Sequence, residues 1–418
     1  MKRFSTTCFL AMWLLATLVV VPHIIADNDL TVVGNIRQAD GLGQIPVGVM
    51  ELLKDDLKIN CVSSSIILEG LSERVKSIVF NRDKSPGTVS ILFNPLWHHT
   101  NPMFKEVPNS KIKIAYSMFE TTKIADQWVA ILNQHFDAVV VPDSYLVKVY
   151  KDCGVQIPIF ELPIIMPLDD YFQKPRRVRP SAPFVFGTTV SCDERKNFPL
   201  LIRAFAEEFG NDDNVVLKLN SRFGMVEQCE ALIELLGVSN IEFTHDVLTK
   251  SQYIEFLDSF DCFVNLSKGE GFSLCPREAL ALSIPCILTR NTAQITVCKS
   301  GLVKVVPSRI LEPANDSPLY NTLMGQQDIG YMFNCSKDDA KAALREVYEN
   351  YAYYQQKAKA GPNWVSQYHW KALKPKYLSL IKPKKIVLDK KNVIANDGLM
   401  TDSPSLYRKY KEALNLCD

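Results

Sequence analysis

Short apolar runs and longer amphipathic stretches alternate along most of this chain. Between residues 30 and 153, the apolar runs predict strands at 30–36, 59–64, 77–80, 89–94, 112–116 and 138–142. The amphipathic stretches predict helices at 45–53, 124–134 and 144–153. Strands that alternate with helices in this way are typical of βαβ units in a mainly parallel sheet.

The same pattern resumes after an interruption at residues 167–183, which contain four prolines and several basic side chains. Such a composition is typical of a linker between domains. Beyond it, strands are predicted at 184–188, 215–219, 241–244, 262–266, 285–289 and 301–306, and helices at 199–209, 226–236, 250–259, 277–282 and 338–359. The pattern therefore predicts an α/β fold with two doubly wound, Rossmann-like domains of similar size that face a cleft.

Composition and charge exclude several classes of protein. The 418 residues are 47% hydrophobic and 22% charged, which is the composition of a folded globular protein. The net charge of +1 lacks the positive excess on which nucleic-acid-binding proteins depend, so no nucleic-acid partner is expected. No two of the eleven cysteines are spaced as Cys-x-x-Cys, and Cys61, Cys262 and Cys286 lie in apolar runs where burial is expected.

Residues 1–27 have the pattern of a targeting segment. Lys2 and Arg3 precede an apolar run at residues 7–26, and acidic residues follow it. A cleaved signal peptide fits this pattern, and so does a retained signal-anchor helix, because about 20 apolar residues can span a bilayer. The flanking charges predict a translocated body, whereas the cysteines and the lysines between 371 and 391 suit a cytoplasmic surface. A membrane-associated or exported protein is expected, and the side of the membrane stays open.

The segment 261–289 carries the most chemical information. A predicted strand ends near Leu266, a tight turn contains Glu270 between two glycines, and a helix is predicted to begin near Pro276, where a missing N–H costs nothing. The amides before this helix would favour a phosphate, because they are unpaired and the helix dipole is positive there. Glu270 and Glu278 are eight positions apart, so one can reach a sugar and the other a ribose on either side of a diphosphate.

The string GEGFSLCPREALA at residues 269–281 resembles the Glu-x7-Glu motif of retaining glycosyltransferases with the GT-B fold, specifically glycosyltransferase family 4. The resemblance implies that Glu270 contacts the donor sugar and Glu278 the ribose. It further implies that backbone amides of the turn hold the distal phosphate; the residues concerned are Gly271, Phe272, Ser273 and Leu274.

A second string, VFGTTVSCDERKNFPLLIRAF at residues 185–205, is similar to the strand, loop and helix start of the same family. The resemblance implies that Lys196 and then Arg195 face the phosphates, where cations stabilise a leaving diphosphate without a metal. Together with Glu270, these two residues are the catalytic candidates. Ser191 occupies a place where many relatives carry an arginine.

The first domain resembles the family less strongly, through AYSMFE at 115–120, FDAVVVP at 136–142 and GVQIP at 154–158. Gly41 and Gly43 follow the first strand and resemble a glycine-rich turn that approaches the donor phosphate or the acceptor. Glu120 and His99 are candidates on the acceptor side. No Asp-x-Asp site or third ligand accompanies His99, so no metal is expected.

The resemblance extends over about residues 30–381 and gives the expected domain limits. These are a first domain at 28–170, a linker at 171–183, a nucleotide-sugar-binding domain at 184–360, a helix at 361–382 that crosses back to the first domain, and a polar tail at 383–418.

The sequence as a whole predicts a retaining, metal-independent hexosyltransferase of the EC 2.4 class. Its co-substrate would be a UDP- or GDP-sugar, and its acceptor a hydroxyl of a glycan, a lipid-linked saccharide or a protein. Two alternatives remain open: a GT-B epimerase or hydrolase of sugar nucleotides, and a catalytically idle GT-B protein that binds or scaffolds.

Overall fold

The structure, a computed structural model, describes residues 28–382 apart from 39–40, 82–84, 97–101, 176, 190, 222 and 326, together with separate stretches between 386 and 412. The predicted targeting segment lies outside these residues. Among the helices that are described, none combines the length and the hydrophobicity that a membrane span requires.

Six parallel strands form the sheet of the first domain, in the order β2-β1-β3-β4-β5-β6. They are β1 (Asn28–Gly34), β2 (Ile59–Val62), β3 (Gly87–Phe93), β4 (Ile112–Tyr116), β5 (Ala138–Val141) and β6 (Ile159–Glu161). The helices are α1 (Gly41–Leu53), α2 (Glu73–Phe80), α3 (Asp126–His135), α4 (Ser144–Asp152) and α5 (Asp169–Gln173). In the register, Val32 of β1 lies opposite Cys61 of β2 and Ile91 of β3. Because every pair is parallel, the carboxyl ends of all six strands lie at one edge, where α/β proteins bind ligands.

In the first domain, one predicted strand is wrong and one observed strand was not predicted. The strand predicted at 77–80 is wrong, because these residues end α2. Ser72 caps this helix by accepting a hydrogen bond from the Val75 amide at 3.3 Å, and Val75 and Val79 are buried at helical spacing. Strand β6 was not predicted, since it has only three residues and only Phe160 among them is buried.

The second domain repeats the arrangement with the strand order β12-β11-β10-β7-β8-β9. The strands are β7 (Phe184–Thr189), β8 (Val215–Asn220), β9 (Ile241–Thr244), β10 (Cys262–Asn265), β11 (Cys286–Thr289) and β12 (Lys304–Val306). The helices are α6 (Phe198–Phe209), α7 (Val226–Leu236), α8 (Lys250–Asp258), α9 (Leu274–Ala281) and α10 (Gln294–Cys298). Cys262 and Cys286 are buried here, as Cys61 is in the first domain, which confirms the expected burial of all three. Since β7 and β10 are neighbours, the loops that follow them meet at the same edge.

Residues 310–334, which we call the arm, leave the second domain and pack on the first. The arm consists of β13 (Ile310–Pro313), α11 (Pro318–Met324) and β14 (Tyr331–Asn334), and its two strands pair antiparallel. Its residues Tyr320, Met324 and Ile329 share one hydrophobic core with Phe119 and Trp128 of the first domain. The sequence pattern predicted no element here, because the apolar partners of the arm are about 200 residues away.

The chain ends with helices α12 (Lys337–Glu349), α13 (Tyr351–Ala358), α14 (Gly361–Val365) and α15 (Trp370–Ile381), followed by the short antiparallel strands β15 (Ile386–Asp389), β16 (Asn392–Ala395) and β17 (Met400–Thr401). The single helix predicted at 338–359 is divided at Asn350. Helix α15 returns to the first domain, where the Tyr377 hydroxyl donates to the Pro163 carbonyl at 2.9 Å and Lys374 pairs with Asp56 at 2.7 Å.

The contribution of the arm to the stability of the hydrophobic core can be tested by substitution. Met324 and Leu319 both lie on α11, but Met324 is 5% exposed and Leu319 is 42% exposed. We expect Met324→Ala to lower the free energy of unfolding by about 2–5 kcal/mol, because it leaves a cavity. Leu319→Ala should change it by less than about 0.5 kcal/mol. Urea denaturation followed by tryptophan fluorescence measures both, and equal small losses would show that the arm does not stabilise the core.

Candidate active site

Three predicted catalytic residues meet at the carboxyl edge of the second sheet. Glu270 lies in the turn between β10 and α9, and Arg195 and Lys196 lie in a short 3-10 turn after β7. Lys196 Nζ is 2.6 Å from Glu270 Oε1, and Arg195 Nη1 is 3.4 Å from Glu270 Oε2. Arg195 also donates to the Gly269 carbonyl at 2.7 Å. The two loops therefore form one charged cluster.

The Glu270 side chain is buried and ionised. The residue is 4% exposed, and Asn265 Nδ2 donates to its Oε1 at 3.2 Å. Burial alone would raise the pKa of Glu270, but the charges of Lys196 and Arg195 outweigh this and hold the pKa at about 2. The site thus keeps a full negative charge, with two cations against it, throughout the physiological pH range.

The backbone of the turn leaves several amides without partners. Ser273 has φ 66° and ψ 71°, a left-handed backbone conformation that residues other than glycine and asparagine rarely adopt. Helix α9 begins directly after it at Leu274, two residues earlier than the expected start near Pro276. Among the described residues, the amides of Gly271, Phe272 and Ser273 have no hydrogen-bond partner. With the first turn of α9, they form a site suited to an anion such as a phosphate.

Glu278 lies on α9 and is held by two tyrosines. Tyr253 donates to Glu278 Oε2 at 2.6 Å, and Tyr171 donates to Glu278 Oε1 at 3.1 Å. Burial raises the pKa of Glu278, and the hydrogen bonds from the two hydroxyls offset part of this rise. A carboxylate accepts about four hydrogen bonds, so Glu278 keeps capacity for sugar hydroxyls.

The turn of Glu270 also contacts the first domain. A Cβ atom on Gly269 would lie 2.0 Å from the Glu120 carbonyl oxygen, so only glycine fits there. Glu120 Oε2 in turn accepts a hydrogen bond from the Tyr320 hydroxyl of the arm at 2.9 Å. The predicted acceptor-side residue Glu120 is therefore brought next to the Glu270 turn, while His99 lies outside the described residues.

The glycines after β1 lie beside the same turn. Gly41 is the first residue of α1, and a Cβ atom on it would be 3.7 Å from Leu274 Cδ1. A Cβ atom on Gly43 would overlap Arg37 at 2.3 Å, so this position requires glycine for packing. The N-termini of α1 and α9 thus converge, and both helix dipoles favour an anion between them.

Sequence reasoning missed the role of Arg277. This fully buried guanidinium lies 3.9 Å from the Phe272 ring centroid and 4.7 Å from that of Tyr368. Its Nη1 donates to the Ser273 carbonyl at 2.9 Å, and its Nη2 is 3.7 Å from Asp143 of the first domain. Arg277 therefore braces the Glu270 turn against the other domain. Its only signal in the sequence is a cation directly before Glu278, in a stretch that is otherwise mostly apolar.

Within the described part of the chain, no group of three or more His, Cys, Asp or Glu side chains is arranged to hold a metal ion.

Residues 183–317 match the protein family described as Glycosyl transferases group 1. The second domain is a group 1 glycosyltransferase domain. The matched range contains both loops of the charged cluster and all of α9. None of the curated protein sequences is significantly similar to this chain.

Solved structures resemble the glycosyltransferase domain together with the first domain. HepE of Anabaena, in complex with UDP and glucose, is 11% identical with a TM-score of 0.58, over 85% of this chain and 99% of HepE. A glycosyltransferase of Rickettsia africae is 13% identical with a TM-score of 0.57, over 84% of this chain and 97% of its own. A TarM mutant of S. aureus, in complex with fondaparinux, alpha-GlcNAc-glycerol and UDP, is 13% identical with a TM-score of 0.52. That match covers 70% of this chain but only 55% of TarM. These likenesses confirm the predicted fold of two Rossmann-like domains.

The charge of Glu270 predicts a dependence of stability on pH. Its pKa is about 2 in the folded protein and near 4.3 in an unfolded chain, so its ionisation stabilises the fold above about pH 4.5. As the pH falls toward 2, about 3 kcal/mol of stability should be lost from this group. Glu270→Gln should therefore show a shallower fall between pH 5 and pH 2 in urea denaturation.

The matched control for this experiment is Glu242→Gln, which replaces a carboxylate on β9 that is 57% exposed. Its stability should follow the wild-type pH dependence. If the stability of Glu270→Gln fell between pH 5 and pH 2 as steeply as that of the wild type, the assigned ion cluster would be contradicted.

Proposed function

We propose that this protein is a retaining glycosyltransferase that moves a sugar from a nucleoside diphosphate sugar to an acceptor hydroxyl without a metal. The observation that carries the proposal is the cluster of buried Glu270 with Lys196 and Arg195 beside the N-terminus of α9. An anion site and an ionised carboxylate next to each other suit a donor that joins a diphosphate to a sugar.

The cations have capacity left for the diphosphate. An ammonium group carries three N–H donors, and Lys196 donates one of them to Glu270. The others, with Arg195 and the amides of the turn, would stabilise charge as the nucleoside diphosphate departs. Arg195 Nη2 is 3.8 Å from the Asp193 oxygen that also accepts from the Ser191 hydroxyl, so it supplies a guanidinium near the place where many members of glycosyltransferase family 4 carry an arginine.

The carboxylates would orient the two sugars of the donor. Glu270 would accept a hydrogen bond from a hydroxyl of the transferred sugar, and its charge would favour the oxocarbenium character of the anomeric carbon. Glu278, already fixed by Tyr171 and Tyr253, would accept from the ribose hydroxyls. The contact of Gly269 with Glu120 brings the first domain against this region, where exclusion of water would limit hydrolysis of the donor.

A UDP-sugar is the first donor to test, with a GDP-sugar second. The HepE and TarM structures both contain UDP, and HepE also contains glucose. The acceptor would enter from the first domain, where Glu120 is held by Tyr320.

Binding of the nucleotide is tested by a thermal-shift series of the wild-type protein with UDP, GDP and ADP. A ligand at 100 times its Kd should stabilise the fold by about 2.7 kcal/mol. We expect UDP or GDP to give this shift and Glu278→Gln to diminish it, because one of the two acceptor oxygens becomes an N–H donor and the negative charge is lost. Glu242→Gln should bind as the wild type does. No shift with any nucleotide would favour the idle binding or scaffold protein.

Transfer itself is tested with Glu270→Gln. We expect kcat to fall by about 100-fold or more, because charge that stabilises the transition state is removed. Release of the nucleoside diphosphate measures the rate, and NMR of the product gives the anomeric configuration. Circular dichroism confirms that the variant is folded at the assay pH.

Two controls belong to the same assay. Wild-type turnover should be unchanged by a chelator such as EDTA, and loss of activity on chelation would contradict the metal-independent mechanism. Consumption of the donor without any acceptor would favour the epimerase or hydrolase.

A further inference from the structure

Two cysteines that the proposed reaction does not use lie side by side in the second domain. Cys192 Sγ is 3.1 Å from Cys229 Sγ, which is about 1 Å longer than a covalent S–S bond. Both residues are fully buried. They are 37 positions apart in the sequence, so no local spacing marks them as a pair.

The backbone around Cys192 is fixed to the segment that leads into α7. The Cys192 amide donates to Ser221 Oγ at 2.7 Å and to the Phe223 carbonyl at 3.0 Å, while its carbonyl accepts from the Met225 amide at 2.6 Å. Cys229 follows on α7, which begins at Val226. These backbone contacts fix Cys192 beside α7, and its sulfur lies about 1 Å beyond bonding distance from that of Cys229.

The position of Cys192 gives the pair a link to the charged cluster. Cys192 immediately precedes Asp193, whose carboxylate accepts from the Lys196 amide at 3.0 Å and from the Ser191 hydroxyl at 2.6 Å. These contacts shape the 3-10 turn that carries Arg195 and Lys196. A covalent bond at Cys192 would hold the base of this turn on α7.

We propose that Cys192 and Cys229 form a disulfide bond that ties the loop of Arg195 and Lys196 to α7. The oxidant is a disulfide of the glutathione type, which reacts with the two thiols during folding, before they are buried. One cysteine thiolate attacks its S–S bond and releases one thiolate, and the second cysteine then attacks the mixed disulfide and releases the other. Two electrons pass to the oxidant, and the two thiol protons go to solvent. The bond would persist only on the oxidising side of a membrane, which is one of the two sides that the N-terminal targeting segment leaves open.

The bond is tested on the full chain produced in the oxidising secretory compartment of a host cell. Free thiols are blocked by iodoacetamide in denaturant without reductant, and the digest is analysed by mass spectrometry. We expect the Cys192 and Cys229 peptides to be linked before reduction and separate after it. Alkylation of both cysteines in the unreduced sample would overturn the proposal. This outcome is independent of any transfer activity.

A second measurement tests whether the disulfide bond stabilises the fold. Reduction should lower the Tm of the wild type by several degrees, because the unfolded chain gains freedom when the cross-link is lost. Cys229→Ala should melt at the same temperature with and without reductant. Cys335→Ala, which removes a buried cysteine near Lys268 and Glu312, should keep the reductant-dependent difference. If reductant lowered the Tm of Cys229→Ala by as much as it lowers the Tm of the wild type, the proposal would also be overturned.

Discussion

The carboxylate of Glu270 is almost fully removed from water, and a buried charge is tolerated in a protein only when opposite charges and hydrogen bonds replace the lost solvent. Lys196 and Arg195 supply those charges from 74 and 75 positions away. They can do so only because β7 and β10 are neighbours in a parallel sheet, with Cys262 opposite Phe186 in the register. The buried charge of Glu270 therefore depends on the strand order of the second domain.

The same turn also determines how the two domains meet. Gly269 packs on the Glu120 carbonyl, and the buried guanidinium of Arg277 lies between the aromatic rings of its own domain and Asp143 of the other. The arm adds an apolar contact on the same side and delivers the Tyr320 hydroxyl to Glu120. An anion site with walls from both domains excludes water better than one on a single domain, and electrostatic interactions are stronger where water is excluded.

The local pattern of the sequence predicted most of the elements, and it failed where the pattern is short or where the partner is distant. The run at 77–80 is too short to distinguish a strand from the last turn of a helix, and the Ser72 cap decides for the helix. The arm was missed because its apolar residues match no local period and are buried in a core that they share with distant residues of the first domain, Phe119 and Trp128 among them. The left-handed Ser273, which sets the start of α9, likewise depends on contacts outside the turn, among them the bond from its hydroxyl to Gln294 at 2.8 Å.

The sequence by itself determined the alternation of strands and helices, the two-domain α/β class and the motif that contains Glu270 and Glu278. These features are local, since they depend on the period of apolar positions and on turn residues within a few positions of each other. Only the tertiary structure decided that Arg195 and Lys196 lie against Glu270, that Tyr171 and Tyr253 hold Glu278, and that Cys192 lies beside Cys229. Such pairs are fixed by strand order and by packing between distant segments, and neither is encoded in the spacing of the residues along the chain.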